Sequence, residues 1–498
     1  DVYKRQYHCF ADQKNSADYA YAFGVNEFVL CASAYQPWID KYPGSTAGGK
    51  HYCLNRNNTY WEYSRPFWDY QARCSALMRK GVPVVDICVY LGQNPPVKLV
   101  TYRLPEIPEG YDFDVCTAEA LVGRTMAVDG RLTLPTGISY SLLVIQRNND
   151  MPLHVLRHIA GLVKGGVIVC GPRPDGSDSL KDKAESEEYR ALVDELWGEL
   201  TTVSQIRKVG KGKIYENIPL SEVLKYENIR PDIAIKSGNT AKDKVYFVHR
   251  RLSDADVYFL NNHSDRAFHD TIRLRTDARQ AEYWDAVTGQ RYMIPVKASG
   301  EKGMLLNLTL APRESGFIVT SNNQATGLLP RIADVQETIT PIEGSWNVYF
   351  DPRWGGPGKV VFDELIDWTV HADTGIRYYS GTAVYHKELN LAMPAQNERL
   401  LLRFPRLGSL ARVWVNGKEV VTVWCSPWEA DITSYVHEGK NNLKIEVVNS
   451  LMNRMIGDAS LPESERFTYA YPQIVTPTDK LVPSGIMEQL NLVYRQYQ

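Results

Sequence analysis

The sequence holds 498 residues, with 56 Lys and Arg set against 58 Asp and Glu for a formal charge of −2. A chain of this length divides into about three or four domains. Its charges are well mixed, so no basic stripe points to nucleic acid and no polybasic segment to a membrane surface, and no apolar run approaches the roughly 20 residues of a membrane span.

The eight cysteines, Cys9, Cys31, Cys53, Cys74, Cys88, Cys116, Cys170 and Cys425, include no C-x-x-C pair, and several sit inside apolar runs. Buried free thiols are expected, in preference to a disulfide framework or a zinc site. Tyrosine at 30 and tryptophan at 11 give the aromatic chemistry often met in carbohydrate-active proteins.

The opening hexapeptide DVYKRQ (1–6) has neither periodicity nor cap; it reads as a translated adapter and is set aside from the fold. A helix-like lead with Tyr19, Ala22 and Phe23 stops at Gly24, and the apolar run Phe28 to Ala32 predicts a buried strand. Tyr35, Gln36 and Trp38 lie just past its carboxyl end, where alternating βα architectures meet ligands. The run Asn55 to Trp61 (NRNNTYW) answers them. Aromatic faces beside amides suit a sugar, whose C–H face stacks on a ring while its hydroxyls need partners. The plainer alternative is that Trp38 and Trp61 plug a barrel end. A closing helix follows, with Ser64 as cap, Pro66 in the first turn, an apolar stripe Phe67, Tyr70, Cys74, Leu77 and Met78, and Gly81 as stop. One strand and its helices cannot bury a core alone, so residues 1–81 need partners outside the sequence or pack on the next domain.

Residues 82–217 read as a doubly wound α/β domain. Strands are expected at Val84 to Leu91, Tyr111 to Val115, Leu142 to Ile145 and Val167 to Cys170. Helices fall around Leu156 to Val163 and from Tyr189 to Leu200. The loop GPRPDGSD (Gly171 to Asp178) lacks G-x-G-x-x-G and a phosphate-loop Lys, which favours a turn cluster over a phosphate site.

Residues 218–330 change to short strands between polar turns, the pattern of a small β-sandwich. Its His249, His263 and His269 match no zinc spacing. Asn323 to Leu329 reads as a linker, and 331–498 as a jelly-roll β-sandwich with a tail. In it Asn416-Gly417 marks a tight hairpin, and strands from Gly344 to Asn449 make one sandwich while the tail wraps onto something else.

A glycosidase needs two carboxyl groups, about 5 Å apart for retention or about 6.5 to 9.5 Å for inversion. Asp12, Asp18, Glu27, Asp40, Glu62, Asp69 and Asp86 are available in the first part of the chain. Asp86 sits in an apolar strand, where it is costly unless paired, while Asp40 and Glu62 follow the two aromatic clusters. No G-x-S-x-G elbow occurs. The stretch VNSLMNRMIGD (Val448 to Asp458) reads either as a cation-holding edge loop or as a turn tied by an Arg/Asp pair.

In order and spacing these residues resemble the carboxyl-terminal half of glycoside hydrolase family 106, the α-L-rhamnosidase family. The resemblance rests on Gly24-Val25-Asn26, Gln36-Pro37-Trp38, Pro43-Gly44 to Gly48, Asn55 to Trp61, Tyr70 to Cys74 with Gly81, Gly110 to Asp114, Trp284-Asp285 to Gly289, Gly375 to Tyr385, Val415 to Gly417 and Asn453 to Asp458. Tyr35 departs from the histidine often found before Gln-Pro-Trp.

The resemblance implies a partial TIM barrel in 1–81, a flavodoxin- or amidotransferase-like α/β domain, a small β-sandwich, and a galactose-binding-like jelly roll similar to the sugar-binding domain of family 2 glycosidases. It implies inverting hydrolysis of terminal rhamnosyl residues of plant pectin-type glycans, with calcium, much of whose site would lie in barrel strands upstream of Tyr7, in a periplasmic or secreted bacterial enzyme. The catalytic glutamates would lie upstream of Tyr7, leaving the sequence as it stands inactive. Gln36, Trp38, Asn55, Arg56 and Trp61 are carried over as pocket-lining residues. The alternative is a non-catalytic carbohydrate-binding or structural multidomain protein.

Overall fold

The computed structural model describes residues 9–29, 34–46, 55–92, 104–146, 150–174, 176–177, 179, 186–200, 202–237, 245–300, 303–323, 327–331 and 336–496. The adapter-like hexapeptide, Leu30 to Ala32 of the expected first strand, the loop around Gly48, and Cys31 and Cys53 lie outside them, and Phe28 and Val29 carry no strand. The six described cysteines are all free thiols, four of them buried.

Between residues 9 and 81 the chain supplies helices Phe10–Tyr21 and Arg65–Met78 and the short strand Pro43–Ser45. The second helix buries Phe67, Tyr70, Cys74 and Met78, as its stripe predicts. Ser64 does not cap it. A 3-10 turn, Trp61–Tyr63, runs straight into the helix, so Ser64 already has helical backbone angles and makes no side-chain cap bond. These helices share one core with Val248, Val257, Phe259 and Phe317 of a central β-sheet and with Leu410, Trp424 and Val448 of the last sandwich. The segment thus finds its burial on the β-units that follow.

The α/β unit is a six-stranded sheet. Ile87–Tyr90, Phe113–Cys116, Leu142–Ile145, Ile168–Cys170 and Gly212–Glu216 run parallel in spatial order 2-1-3-4-5, the order of flavodoxin-type doubly wound sheets. Gln205–Val209 adds an antiparallel edge through a hairpin. Helix Ser186–Trp197 ends earlier than its apolar face suggests, because Gly198 takes φ +78°, and Leu200 is left exposed. The turn-cluster reading of Gly171 to Asp178 fits the described part of that loop. Arg173 N–H donates to Glu216 Oε1 (3.1 Å), its guanidinium meets Asp194 (2.7 Å), and Trp197 Nε1 donates to Gly171 O (3.1 Å).

Next come a four-stranded sheet (233–235, 268–274, 304–310, 296–298) and a seven-stranded sheet (82–83, 245–251, 255–262, 315–321, 280–284, 291–294, 329–330). Residues of both close one core around Tyr258, Leu260, Ile272, Tyr283, Leu306 and Ile318. Val82–Pro83 pairs with Arg250–Arg251 of the seven-stranded sheet, so the strand expected from Val84 starts only at Ile87.

The last unit stacks a six-stranded sheet (358–362, 346–350, 382–391, 439–448, 410–415, 418–423) on a four-stranded one (337–341, 491–496, 398–403, 429–431). Asn416 and Gly417 have φ +51° and +79°, as a two-residue hairpin turn needs. The tail corrects the sequence reading. Asn491–Gln496 lies inside the second sheet, between Glu337–Pro341 and Glu398–Arg403, because Leu492 and Val493 are buried while Arg495 pairs with Glu337 and Glu429. The sandwich is therefore incomplete at Asn449.

Candidate functional site

Residues 34–46, 55–63 and 468–472 meet at one place. Pro43–Ser45 runs parallel to Tyr469–Tyr471, and the pairing extends through Tyr469 N–H to Tyr42 O (2.8 Å) and Thr46 N–H to Tyr471 O (2.9 Å). Gly44 has φ +77°, and a β-carbon there would collide with Gln36 Oε1. Only glycine allows the clamp that Gln36 makes: its Nε2 donates to Ser45 O (2.7 Å) and its Oε1 accepts from Ser45 N–H (2.8 Å). The side-chain amide acts as one more strand, with both ends spent on the backbone, so Gln36 shapes the loop.

Trp38 is half-buried and meets Tyr469 edge to face, centroids 5.1 Å apart. Lys41 Nζ lies 4.0 Å from the Tyr469 ring and 5.5 Å from that of Trp38. Arg56 joins the two loops by donating to Gln36 O (3.4 Å) and Trp38 O (3.3 Å), and it has no carboxylate partner among the described residues. Asn55 is buried. Its Oδ1 accepts from Asn57 N–H (2.9 Å), while its Nδ2 finds no partner among the described residues. Asn57 locks the corner, donating to Lys41 O (3.0 Å) and Pro43 O (3.3 Å).

The structure therefore gathers Gln36, Trp38, Arg56 and, through Asn57, Asn55. Trp61 packs edge-on to Trp68, centroids 6.4 Å apart, and has no ring contact with Trp38. Sequence reasoning missed Lys41, Asn57 and Tyr469. The aromatic tail Tyr469-Ala-Tyr-Pro was a signal for the last of these; its partner, more than 420 residues earlier, was not marked by any local pattern.

Asp40 and Glu62 are exposed and make no side-chain hydrogen bond among the described residues, so neither is held toward the Trp38 cluster. Asp86 lies elsewhere and is paired. Arg275 reaches it at 2.7 Å and Ser141 Oγ donates to it at 2.9 Å. Arg275 also meets Asp232 (3.2 Å), which holds His249 Nδ1 at 2.9 Å, while His249 Nε2 lies 3.0 Å from Asp256 Oδ1 and off the line of its N–H. Burial works against charge on His249, yet Asp232 and Asp256 outweigh it and hold its pKa above the usual imidazole value. His263 packs on the rings of Tyr19 and Tyr246, and His269 bonds Thr309, so the three histidines are not gathered.

The stretch Val448 to Asp458 is a helix, Met452–Asp458, tied by a buried Arg454–Asp458 pair at 2.9 Å. Asp458 Oδ2 accepts from Thr468 N–H and Oγ1 (2.7 and 2.6 Å), which fixes the approach to Tyr469. Asn449 is spent on Gly381, Tyr379 and Ser484, and Asn453 on Val482 and Ser484. Calcium takes six to eight oxygens, and here the oxygens already have donors. Among the described residues no group of three or more His, Cys, Asp or Glu side chains is placed to hold a metal, so the stretch is the turn tied by its Arg454–Asp458 pair. What the cluster offers chemically is ring faces, two cations and an unpaired amide, which bind and orient; among the described residues it has no held pair of carboxyl groups for proton transfer.

A family model described as alpha-L-rhamnosidase, glycosyl hydrolase family 106, matches residues 5–297, more than half of the chain. One described as the glycosyl hydrolases family 2 sugar binding domain matches residues 333–494. A solved rhamnosidase from Novosphingobium sp. PP1Y is similar with a TM-score of 0.89 and 28% identity, over 99% of this chain and 47% of that one. A Formosa agariphila protein that bears a beta-glucuronidase name is 23% identical over 677 aligned residues, 91% of this chain and 57% of its own length. The chain spans about half the length of these proteins. It belongs to the α-L-rhamnosidase family, glycoside hydrolase family 106.

Proposed function

We propose that this chain forms one wall of the sugar pocket of an α-L-rhamnosidase that removes terminal rhamnosyl residues from plant pectin-type glycans, with the acid and base carboxylates on residues upstream of Tyr7. The observation that carries this reading is the cluster around Trp38. Trp38 and Tyr469 offer ring surface, Arg56 and Lys41 offer donors, and Asn55 Nδ2 is without a partner, whereas Asp40 and Glu62 are exposed and unheld. A sugar would stack on the indole and take hydrogen bonds from the cations, while the chemistry is done across the pocket. Inverting hydrolysis needs an acid and a base about 6.5 to 9.5 Å apart, and the described residues of this wall hold no such pair in place.

The 498-residue chain is expected to give no turnover of p-nitrophenyl α-L-rhamnoside, even at one enzyme equivalent; measurable release of nitrophenol overturns the reading. In the full-length enzyme Trp38→Ala should raise KM more than it lowers kcat.

A further inference from the structure

A cavity of about 510 Å³ opens where the edge of the α/β sheet, the two sheets that follow it and the end of the first helix meet. Residues 107–115 form one wall, Ile233, Ile235 and residues 245–247 form a second, and the exposed Phe23 stands at the mouth. The first wall is pinned: Gly110 O accepts from Asp232 N–H (2.8 Å), and the Tyr111 hydroxyl donates to Ile229 O (2.7 Å). The space is therefore preformed.

Its charge is one-sided. Glu109, Asp112 and Asp114 line the cavity, and the described residues around it include no Lys, Arg or His. The carboxylates nearby have partners: Asp86 and Asp232 meet Arg275, and Asp114 accepts from the Tyr140 hydroxyl (2.9 Å). Asp112 differs. Among the described residues it accepts only from the adjoining Phe113 N–H, at 2.8 Å through Oδ1, so its second oxygen is left without a donor. The rings of Phe113, Phe247 and Phe268 line the same space, and among the described residues no other ring and no cation is set against them. A carboxyl group without a counter-charge, beside aromatic walls, matches an organic cation, which both attract. Its apolar body would cover Ile233, Ile272 and Leu308. An anion would meet only carboxyl groups.

We propose that this cavity is a binding site for a small organic ammonium ion with an apolar body, with Asp112 as its counter-charge and Phe113, Phe247 and Phe268 as its aromatic walls. It is separate from the Trp38 cluster and independent of any hydrolytic activity. The test is calorimetry of the 498-residue chain with probes that share one ring and differ in charge: benzylammonium, benzyl alcohol and benzoate. Benzylammonium should bind about tenfold more tightly than benzyl alcohol, and benzoate should give no heat. In Asp112→Asn, which keeps the shape of the side chain, that preference should vanish while benzyl alcohol binds as before. Phe247→Leu keeps an apolar wall but removes a ring, and should weaken benzylammonium severalfold and benzyl alcohol less. Equal affinity for benzylammonium and benzyl alcohol, absence of heat with every probe, or an undiminished preference in either variant overturns the proposal. Trp38→Ala should leave the binding intact; if it abolishes benzylammonium binding while Asp112→Asn does not, the cation sits elsewhere and the cavity is refuted.

Discussion

Lys14 and Asp18, one turn apart on helix Phe10–Tyr21, form a 2.7 Å ion pair sealed from solvent. Lys14 also donates to Ser315 Oγ (2.8 Å) on the seven-stranded sheet, and Asp18 accepts from Tyr70 on the second helix. One buried pair thereby ties two helices to a sheet that lies some 300 residues further along.

Removing one partner leaves the other as a bare buried charge, so Lys14→Met should cost about 3 to 5 kcal/mol, read from urea unfolding. The double variant Lys14→Met, Asp18→Leu should recover part of that loss. Burial opposes the charge on Lys14, but Asp18 outweighs it and raises the lysine pKa above its ordinary value. The pair's contribution is therefore complete below the ordinary lysine pKa and is lost as pH rises through the higher folded one. The variant should be less sensitive than the native chain to strongly alkaline pH.

Asp112 lines an apolar cavity with Phe23, Ile107, Phe113, Val245, Phe247 and Ile272. Burial, followed by nearby Asp114, Asp232 and Asp86, lifts its pKa from 3.8 to about 7, against the pull of the Phe113 N–H. The folded chain thus binds a proton that the unfolded chain releases near pH 4. Stability from this group is present below about pH 4 and is lost as pH rises toward 7. Asp112→Asn keeps the acceptor and removes the titration, so its thermal midpoint should fall less between pH 5 and pH 8 than that of the native chain.

Gly44→Ala introduces a β-carbon where Gln36 Oε1 sits, at a backbone angle that L-residues rarely adopt. Gln36 should be driven off Ser45, leaving a backbone N–H and C=O without their partners at a cost of about 1 to 3 kcal/mol each if they stay buried. Faster amide exchange across 34–46, with the rest of the chain unchanged, is the expected readout. Gln36→Ala should give the same local pattern.

Arg275 neutralises both Asp86 and Asp232 at the junction of the α/β unit and the sheets that follow. Arg275→Met should destabilise the chain by about 3 to 5 kcal/mol, and calorimetric scans should show the α/β transition separating from the main one.

Much of the architecture was written in local pattern. The stripe Phe67, Tyr70, Cys74 and Met78 marked its helix, the apolar runs at Leu142 and Ile168 marked parallel strands, and Asn416-Gly417 marked its hairpin. Strands whose pairing is set by partners far off in sequence were harder. Ile233–Ile235 and Arg291–Ile294 are three and four residues long and gave no alternation long enough to detect. The site divided in the same way. Gln36, Trp38 and Arg56 were visible as residue types, but Gln36 turned out to hold the loop, and Tyr469 could be placed only by a parallel pairing across the chain. Asp86 looked costly in its apolar run because Arg275, 189 residues away, was out of sight.

Asn491–Gln496 sits between Glu337–Pro341 and Glu398–Arg403. During synthesis those two flanking strands leave the ribosome long before the one that joins them, and they wait with unpaired edges. The last sandwich can close only after translation has passed Gln496, so a stop codon before Asn491 leaves both flanking strands with an open edge.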